Sequence, residues 1–215
     1  LACHYRISAP GAKFGFPEVK LGLIPGAGGT QRTPRLAGLA AAIPLVTEGN
    51  QIDAAKALSW GLIDEIAAGD DLAAAALAFA ERLVADGKGP RSAGSLPMPE
   101  DDPALFEDAR KTLARKMRGQ TAPLKALEAI RFGYESDFAT ALVRELEACR
   151  AAIAGPQSRA LRNLFAAERE VARIPGLPAD TAVRPVERAG VIGLGVMGRG
   201  IVMAIATAGI PVVAV

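Results

Sequence analysis

The 215-residue chain has a chemically suggestive side chain near its start, where Glu18 lies in a loop beside Phe16 and Pro17. Apolar residues flank this glutamate, so its carboxylate is expected to be only partly hydrated. A carboxylate in such a setting is suited to proton transfer near neutral pH. Most loop glutamates are merely solvated, and the residues alone leave both interpretations of Glu18 open.

A glycine cluster follows this loop, in the segment Gly26-Ala-Gly-Gly-Thr30. Thr30 is a suitable N-cap residue for a helix predicted from Gln31 to Leu36. The glycines are therefore expected to lead the chain onto the N-terminus of a helix.

A second glycine motif lies near the other end of the chain, where Gly193-Leu-Gly-Val-Met-Gly198 has the spacing G-x-G-x-x-G. A predicted strand (189–193) leads into the motif, a predicted helix (196–208) begins in it, and a further predicted strand (211–215) follows. This is the context that a dinucleotide-binding unit requires, so the motif predicts such a site.

Each glycine of the motif has its own role in such a unit. Gly193 permits the tight turn, Gly195 lets the backbone approach a pyrophosphate, and Gly198 allows the helix to pack closely on the strand. The free N–H groups and the dipole of the helix N-terminus favour a phosphate group. The predicted cofactor-binding residues are Gly193, Leu194, Gly195, Val196, Met197 and Gly198.

Two questions about this motif stay open at the level of the residues. A glycine-rich turn in some other α/β fold is the alternative interpretation. The acidic residue that grips the ribose hydroxyls would come after Val215, so these residues do not distinguish NAD from NADP.

The composition narrows the class of protein. Half of the residues are hydrophobic and the net charge is +2, which is typical of a globular chain. No block of like charge predicts a nucleic-acid partner, and no run of ~20 apolar residues predicts a membrane span. Cys3 and Cys149 lack metal-ligand spacing, so we expect two buried free thiols, a packed structural His4 and no metal site.

Helical periodicity dominates the middle of the chain. A strand is predicted over 2–8, helices over 39–48 and 52–60, and a strand over 61–66. Asp70 and Asp71 precede a helix with Leu72, Ala76, Phe79 and Leu83 on one face. After a predicted loop over 87–103, four further apolar stripes are expected to face the core. They comprise Phe106, Leu113 and Met117; Leu124, Leu127 and Tyr134; Phe138, Leu142, Leu146 and Cys149; and Leu161, Leu164 and Phe165.

A proline-rich segment divides the chain. Residues 174–188 read as a linker, so we predict a first domain over 1–173, ending in a helical segment over 104–171, and a second domain over 189–215. The chain has no initiator methionine and stops within an apolar, strand-like run. We therefore expect it to be an internal piece of a longer protein.

The first domain resembles a known family. Residues 1–66 are similar to the crotonase (enoyl-CoA hydratase/isomerase) superfamily in the segments Ala2-Cys-His-Tyr-Arg-Ile7, Phe14-Gly-Phe-Pro-Glu-Val-Lys-Leu-Gly22, Ile24-Pro-Gly-Ala-Gly-Gly-Thr-Gln-Arg32 and Gly61-Leu-Ile-Asp64. The resemblance implies an α/β fold class: the C-terminal part of a crotonase (ClpP/crotonase-like) fold with a helical C-terminal region.

The last residues resemble a second family. Residues 190–215 look like the start of a 3-hydroxyacyl-CoA dehydrogenase, which implies the first β-α-β of a Rossmann fold. The order of the two parts is similar to that of the bifunctional β-oxidation enzymes, above all the peroxisomal-type multifunctional family and its bacterial relatives. This implies hydration of trans-2-enoyl-CoA or Δ3–Δ2 enoyl-CoA isomerisation, and oxidation of 3-hydroxyacyl-CoA. It also implies an acyl-CoA thioester as substrate and NAD as cofactor.

The resemblance assigns site residues by position. Glu18 matches the second of the family's two catalytic glutamates, which exchanges a proton at the α-carbon of the substrate. Pro17, Gly26, Gly28 and Gly29 are then expected to bind substrate. The first glutamate and an oxyanion-hole donor would come just before Leu1. Because such a donor can contribute ~10²–10³ in rate, this chain alone is expected to be close to inert.

Two other functions remain open. One is a crotonase-type isomerase or hydrolase fused to a β-hydroxyacid-type dehydrogenase, and the other is a non-catalytic acyl-CoA-binding scaffold. The Ala- and Arg-rich composition favours a bacterial cytoplasm, with a peroxisome as the expectation for a eukaryotic source. The acyl chain length and the oligomeric state are left open.

Overall fold

The chain forms two compact units in a computed structural model that describes residues 1–171, 174, 176–178, 180–182 and 184–215. The first unit is Leu1–Glu170 and the second is Val171–Val215. Positions 172 and 173 of the predicted first domain lie outside the described residues, as do positions 175, 179 and 183 of the predicted linker.

Four short strands form two small sheets in the first unit. Strand β1 (Ile7–Ser8) pairs in parallel with β4 (Glu65–Ile66), so the strand predicted over 2–8 forms only at its end. Strand β2 (Lys13–Gly15) pairs antiparallel with β3 (Gln51–Asp53). The helix predicted from residue 52 is wrong over its first two residues, which belong to β3.

Eight α-helices and two 3₁₀ helices make up most of the first unit. The α-helices are α1 (Gly29–Ala37), α2 (Leu39–Thr47), α3 (Ala54–Ser59), α4 (Leu72–Ala85), α5 (Pro103–Lys116), α6 (Ala122–Glu135), α7 (Phe138–Ala154) and α8 (Pro156–Val171). The 3₁₀ helices are Pro17–Leu21 and Ala93–Ser95. Aspartates start several of the α-helices: Asp71, for example, accepts a hydrogen bond from the Ala74 N–H at 2.9 Å, as its sequence position predicts.

The main core of the first unit lies among its helices and fixes the Glu18 loop. Helix α1 packs against α2, α6 and α7, and α6 also contacts α5 and the 3₁₀ helix that contains Glu18. The buried cluster at this junction is Val19, Ile24, Leu39, Ile43, Val46, Phe106, Leu113, Ala122, Ala126, Leu127, Ala129 and Ile130. Val19 and Ile24 thus anchor both ends of the segment that joins Glu18 to the glycine cluster.

The predicted core stripes are partly confirmed. Those of α5 and α6 face the core, whereas α4 has no buried residue. On α7 the buried residues are Ala141, Glu145 and Ala152, while Leu146 of the predicted stripe is exposed. On α8 the stripe is wrong as a core face, because Leu164 and Phe165 are exposed. Helix α7 buries Ala141 and Ala152 and α8 buries Ser158, so the buried faces of these two helices are formed by small residues rather than by the large apolar ones.

The expectations for His4 and the cysteines need correction. His4 and Cys3 are both exposed, and only Cys149 is partly buried. Both thiols are free, as predicted. The prediction that all three residues are buried is therefore wrong for Cys3 and His4. Both belong to the segment before β1, which lies at the edge of the fold.

The second unit has the predicted order of strand, helix and strand. Strand β5 (Ala189–Val191) pairs in parallel with β6 (Val212–Ala214), and α9 (Val196–Thr207) connects them. This part of the predicted secondary structure is confirmed. No helix of the described part of the chain is long and apolar enough to cross a membrane.

Candidate functional site

A cavity of about 230 Å³ brings Glu18 together with the glycine cluster. Its lining residues are Leu1, Ala2, Phe16, Glu18, Pro25, Gly26, Ala27, Gly28, Gly29 and Arg32. Four of the five residues predicted for catalysis and substrate binding in this domain therefore share one cavity. The fifth, Pro17, is exposed and lies instead along a groove beside α8.

One oxygen of the Glu18 carboxylate makes no hydrogen bond to the described residues. Proline at the preceding position starts the 3₁₀ helix Pro17–Leu21, and Gly22 ends it with a left-handed φ of 68°. This short turn holds Glu18 by its backbone, whose carbonyl accepts a hydrogen bond from the Leu23 N–H at 3.0 Å. Oε2 is buried and has no hydrogen-bond partner among the described residues. Buried oxygens without partners are rare in proteins and point to a functional use.

The glycine cluster is packed too closely for side chains. A Cβ on Gly26 would lie 2.6 Å from Cys149 Sγ, and one on Gly29 would lie 2.5 Å from Cε1 of Phe16. Gly28 has a φ of +88°, which disfavours other residues. The backbone of this segment therefore forms one wall of the cavity directly.

A carboxylate from a distant helix supports this wall. Glu145 of α7 is fully buried and accepts hydrogen bonds from the Gly28 N–H at 2.5 Å and the Thr30 N–H at 2.9 Å. The Thr30 hydroxyl also donates to Glu145. Thr30 is thus not the N-cap that the sequence predicts: Gly28 takes that position and Thr30 lies inside α1.

Burial changes the acidity of two groups beneath the cavity. Desolvation raises the pKa of Glu145, against the opposing effect of the hydrogen bonds from Thr30 and Gly28. Desolvation also raises the pKa of the Cys149 thiol, and the nearby Glu145 and Glu18 carboxylates add to that rise. Neither residue was singled out as functional from the sequence. The usable signal was a glutamate on the alanine-lined face of α7.

Arg32 supplies a positive charge at the cavity. Its Nη1 donates to the Ala27 carbonyl at 2.8 Å, and its guanidinium lies 5.3 Å from the centre of the Phe138 ring. Such contacts hold the side chain in place while leaving it charged.

A larger cavity of about 580 Å³, lined mainly by apolar residues, shares Leu1 and Phe16 with the Glu18 cavity but does not include Glu18.

The second unit presents its glycine motif at the start of α9. Gly193 has a φ of +97°, and its N–H donates to the Val215 carbonyl at 2.7 Å. A Cβ on Gly198 would collide with the Gly193 carbonyl group, whereas one on Gly195 would meet none of the described residues within 4 Å. Gly195 is the N-cap of α9, and no side chain of the described residues caps that helix. Leu194, Val196 and Met197 are exposed around it.

Comparison with known families finds a match for the first 92 residues of the chain. Residues 1–92 match the model of the family described as Enoyl-CoA hydratase/isomerase. This part of the chain therefore has the crotonase fold class that the sequence predicts. The predicted resemblance to that family is confirmed over these residues.

Full-length relatives extend the likeness over the whole chain. It is 38% identical to the peroxisomal bifunctional enzyme of Danio rerio over 222 aligned residues, which cover 100% of this chain and 30% of the relative. The human enzyme of the same name is also 38% identical over the same shares. The fatty acid oxidation complex subunit alpha of Shewanella amazonensis is 35% identical, in an alignment that covers 94% of this chain and 29% of the relative. The chain thus spans about 30% of the length of these relatives.

Two solved structures show a partial likeness to this chain. Carnitinyl-CoA hydratase from Mycobacterium avium is 26% identical, with a TM-score of 0.48, over 76% of this chain and 52% of that chain. An enoyl-CoA hydratase/isomerase from Pseudoalteromonas atlantica is 22% identical, with a TM-score of 0.48. The match covers 82% of this chain and 56% of that structure's chain.

Proposed function

We propose that the protein acts in fatty-acid β-oxidation, hydrating trans-2-enoyl-CoA in its first domain and oxidising 3-hydroxyacyl-CoA in a dehydrogenase domain that begins at the second unit. The names of its relatives, bifunctional enzymes and a fatty acid oxidation subunit, support this proposal. The observation that carries it is the unpaired Oε2 of Glu18, beside a cavity walled by glycine backbone.

Glu18 is the proposed proton-transfer group of the hydratase reaction. Its carboxyl exchanges a proton at the α-carbon of the thioester while water adds at the β-carbon, and the same exchange serves Δ3–Δ2 isomerisation. Gly26, Gly28 and Gly29 present backbone to the acyl-CoA, and a side chain on any of them would occupy space already filled. Phe16 and Pro25 contribute apolar surface to the same cavity.

The second unit is proposed to hold the phosphates of NAD. Open space at Gly195, the left-handed turn at Gly193 and the uncapped N-terminus of α9 fit a pyrophosphate. NAD would accept the hydride that leaves the 3-hydroxyacyl-CoA. Leu194, Val196 and Met197 are exposed and would contact the dinucleotide directly.

Replacing Glu18 with Gln in the complete gene product tests the hydratase assignment. The change removes the ionisable group at nearly constant volume, so hydratase and isomerase turnover should fall at least ~10²-fold, the scale of a general acid–base contribution. Dehydrogenase turnover should stay within twofold. Glu100→Gln, at an exposed position, is the matched control. Hydratase turnover within tenfold of the parent would remove Glu18 from the mechanism.

The location in the cell is proposed from the same relatives. Those from vertebrates are named peroxisomal, and the Shewanella relative is bacterial. A peroxisomal location is proposed for a eukaryotic source and a cytoplasmic one for a bacterial source. Fractionation of the source cells with an antibody to this chain distinguishes the two.

A further inference from the structure

The buried carboxylate of Glu145 takes no part in the chemistry proposed above. It lies on α7, which is more than one hundred residues along the chain from the Glu18 loop, and its side chain is fully enclosed. Burial of a carboxylate is costly unless hydrogen bonds compensate for the lost hydration. Three donors do so here: the Gly28 N–H, the Thr30 N–H and the Thr30 hydroxyl.

All three donors belong to the N-terminus of α1, which lacks a cap of its own. Gly28 occupies the N-cap position and has no side chain, and the first turn of α1 contains no acidic residue. Helix N-termini leave several N–H groups unpaired and favour a negative charge nearby. Glu145 therefore provides, from α7, the cap that the local sequence does not.

The capped segment is also the wall of the Glu18 cavity. Gly28 and Gly29 line that cavity, and the next turn of α1 brings Arg32 to it. Glycine residues give the backbone wide conformational freedom, and a displacement of one ångström can cost ~10²-fold in rate at a reacting centre. Gln31 adds a second tether, donating from Nε2 to the Ala129 carbonyl of α6 at 2.6 Å.

We propose that Glu145 is a positioning residue for the Glu18 site: its carboxyl group accepts hydrogen bonds from Gly28 and Thr30, so that the glycine wall keeps the geometry needed by the bound thioester. The inference rests on the proposed hydratase function and assigns part of that site to α7. It also makes the helical region of the first unit necessary for the reaction.

Burial of the Glu145 carboxyl group has an energetic cost. Burial raises the pKa of Glu145 even though three donors face it, so desolvation disfavours the ionised form in the folded protein. The three hydrogen bonds offset part of that cost and fix the orientation of the carboxyl group.

Glu145→Gln in the complete gene product is the primary test. An amide side chain turns an N–H₂ donor toward backbone donors, so at least one of the Gly28 and Thr30 N–H groups loses its acceptor. We expect amide exchange in residues 26–31 to quicken at least tenfold, with exchange in α6 unchanged. Hydratase kcat should fall at least tenfold while KM changes less than threefold, and dehydrogenase turnover should not change.

Glu147→Gln is the matched control, because Glu147 lies two residues further along α7 and is exposed. It should alter neither exchange nor kcat. Thr30→Val removes the hydroxyl donor at constant shape and should quicken exchange and lower kcat by smaller factors. If Glu145→Gln does not fold, Thr30→Val decides the question by the same two readouts.

Unchanged exchange in residues 26–31, or unchanged hydratase kcat, in a folded variant overturns the proposal. The exchange measurement does not depend on catalysis, so it separates this inference from the proposed function. If Glu18→Gln leaves hydratase turnover intact, the assignment of the reaction fails. The exchange result still tests whether Glu145 holds the backbone of Gly28 and Thr30.

Discussion

The Cys149 thiol occupies the space that a side chain on Gly26 would need. A Cβ built on Gly26 would lie 2.6 Å from Cys149 Sγ and 2.8 Å from Cys149 Cβ. Cys149 stands one helical turn after Glu145 on α7, so this helix contacts the glycine cluster at Gly26 through packing and at Gly28 through a hydrogen bond. Helix α7 therefore supports the glycine wall of the Glu18 cavity at both of these residues.

Gly26→Ala should consequently destabilise the first domain. The new methyl group overlaps Cys149, and overpacking of this kind costs about 1–3 kcal/mol. Denaturant unfolding of the variant should show a lower midpoint with an unchanged slope. Adding Cys149→Ala should recover part of the loss, since it removes Sγ but leaves the Cβ contact.

Gly11→Ala is the control for that measurement, because a Cβ there meets nothing within 4 Å. Its unfolding midpoint should match that of the parent. Equal unfolding midpoints for Gly26→Ala and the parent would show that the glycine wall is looser than the contact with Cys149 implies.

The glycine motif of the second unit allows folding and binding to be separated. Gly195→Val places its side chain in open space, so the fold should be kept while the approach of a pyrophosphate is blocked. NAD affinity of the complete gene product, measured by calorimetry, should fall at least tenfold. Gly198→Ala should instead destabilise the unit, because its Cβ collides with the Gly193 carbonyl group.

Gly200→Ala, further along α9 and with nothing near its Cβ, is the control for both changes. Alanine favours a helix interior over glycine by up to about 1 kcal/mol, so stability should hold or rise and NAD affinity should not change. A Gly195→Val protein that binds NAD as tightly as the parent would refute the phosphate-binding role of this turn.

Tyr134 should titrate unusually late. Burial, together with the nearby Asp101 charge, raises the pKa of its phenol to about 12. The contribution of this group to stability is present below its unfolded pKa of about 10 and is lost as pH rises through about 12. Ultraviolet titration of Tyr134→Phe should lack the late tyrosinate signal, and the variant should lose less stability than the parent across that window.

The buried phenol oxygen of Tyr134 has no partner among the described residues. Removing an unpaired buried hydroxyl is close to neutral or stabilising, so Tyr134→Phe should be at least as stable as the parent at pH 7. Tyr5→Phe is the control, and it should keep the late signal. A variant that still shows the late signal would place that titration elsewhere.

The parts of the site that depend on local sequence could be predicted. Glu18 and the glycine cluster are separated by only a few residues, and the spacing of the dinucleotide motif is itself local. The packing partner of the glycine cluster could not be predicted, because Glu145 approaches it from more than one hundred residues away. A single sequence carries no record of such pairings.

The fold shows the same division. Helices α5 and α6 have large apolar residues at helical spacing, so both the helices and their buried faces were predicted. Helix α7 packs through Ala141 and Ala152, and small residues give a weak periodic signal, so its predicted face was displaced. Strands β2 and β3 have three residues each, too few for an alternating pattern to show.

The acidity of Glu145 predicts a dependence of stability on pH. Its folded pKa is raised above the ordinary value of 4.5, mainly by burial, while the hydrogen bonds from Thr30 and Gly28 and the charge of Arg32 oppose that rise. Cys149, on the same helix, is the other titratable group that couples to it. For a carboxyl group with a raised folded pKa, the contribution to stability is fully present below the unfolded pKa. It is lost as pH rises through the folded pKa, because the unfolded chain then releases the proton first.

Unfolding free energies of the parent, Glu145→Gln and the control Glu147→Gln, measured by denaturant titration from pH 4 to pH 8, test this expectation. The parent and Glu147→Gln should lose stability with rising pH over a window that begins near pH 4.5, and Glu145→Gln should lack that component. Parallel stability curves for all three proteins would show that Glu145 titrates as an ordinary exposed carboxylate. If stability declines more steeply with pH in Glu145→Gln than in the parent, the folded pKa of Glu145 is lowered rather than raised, and the expectation is wrong.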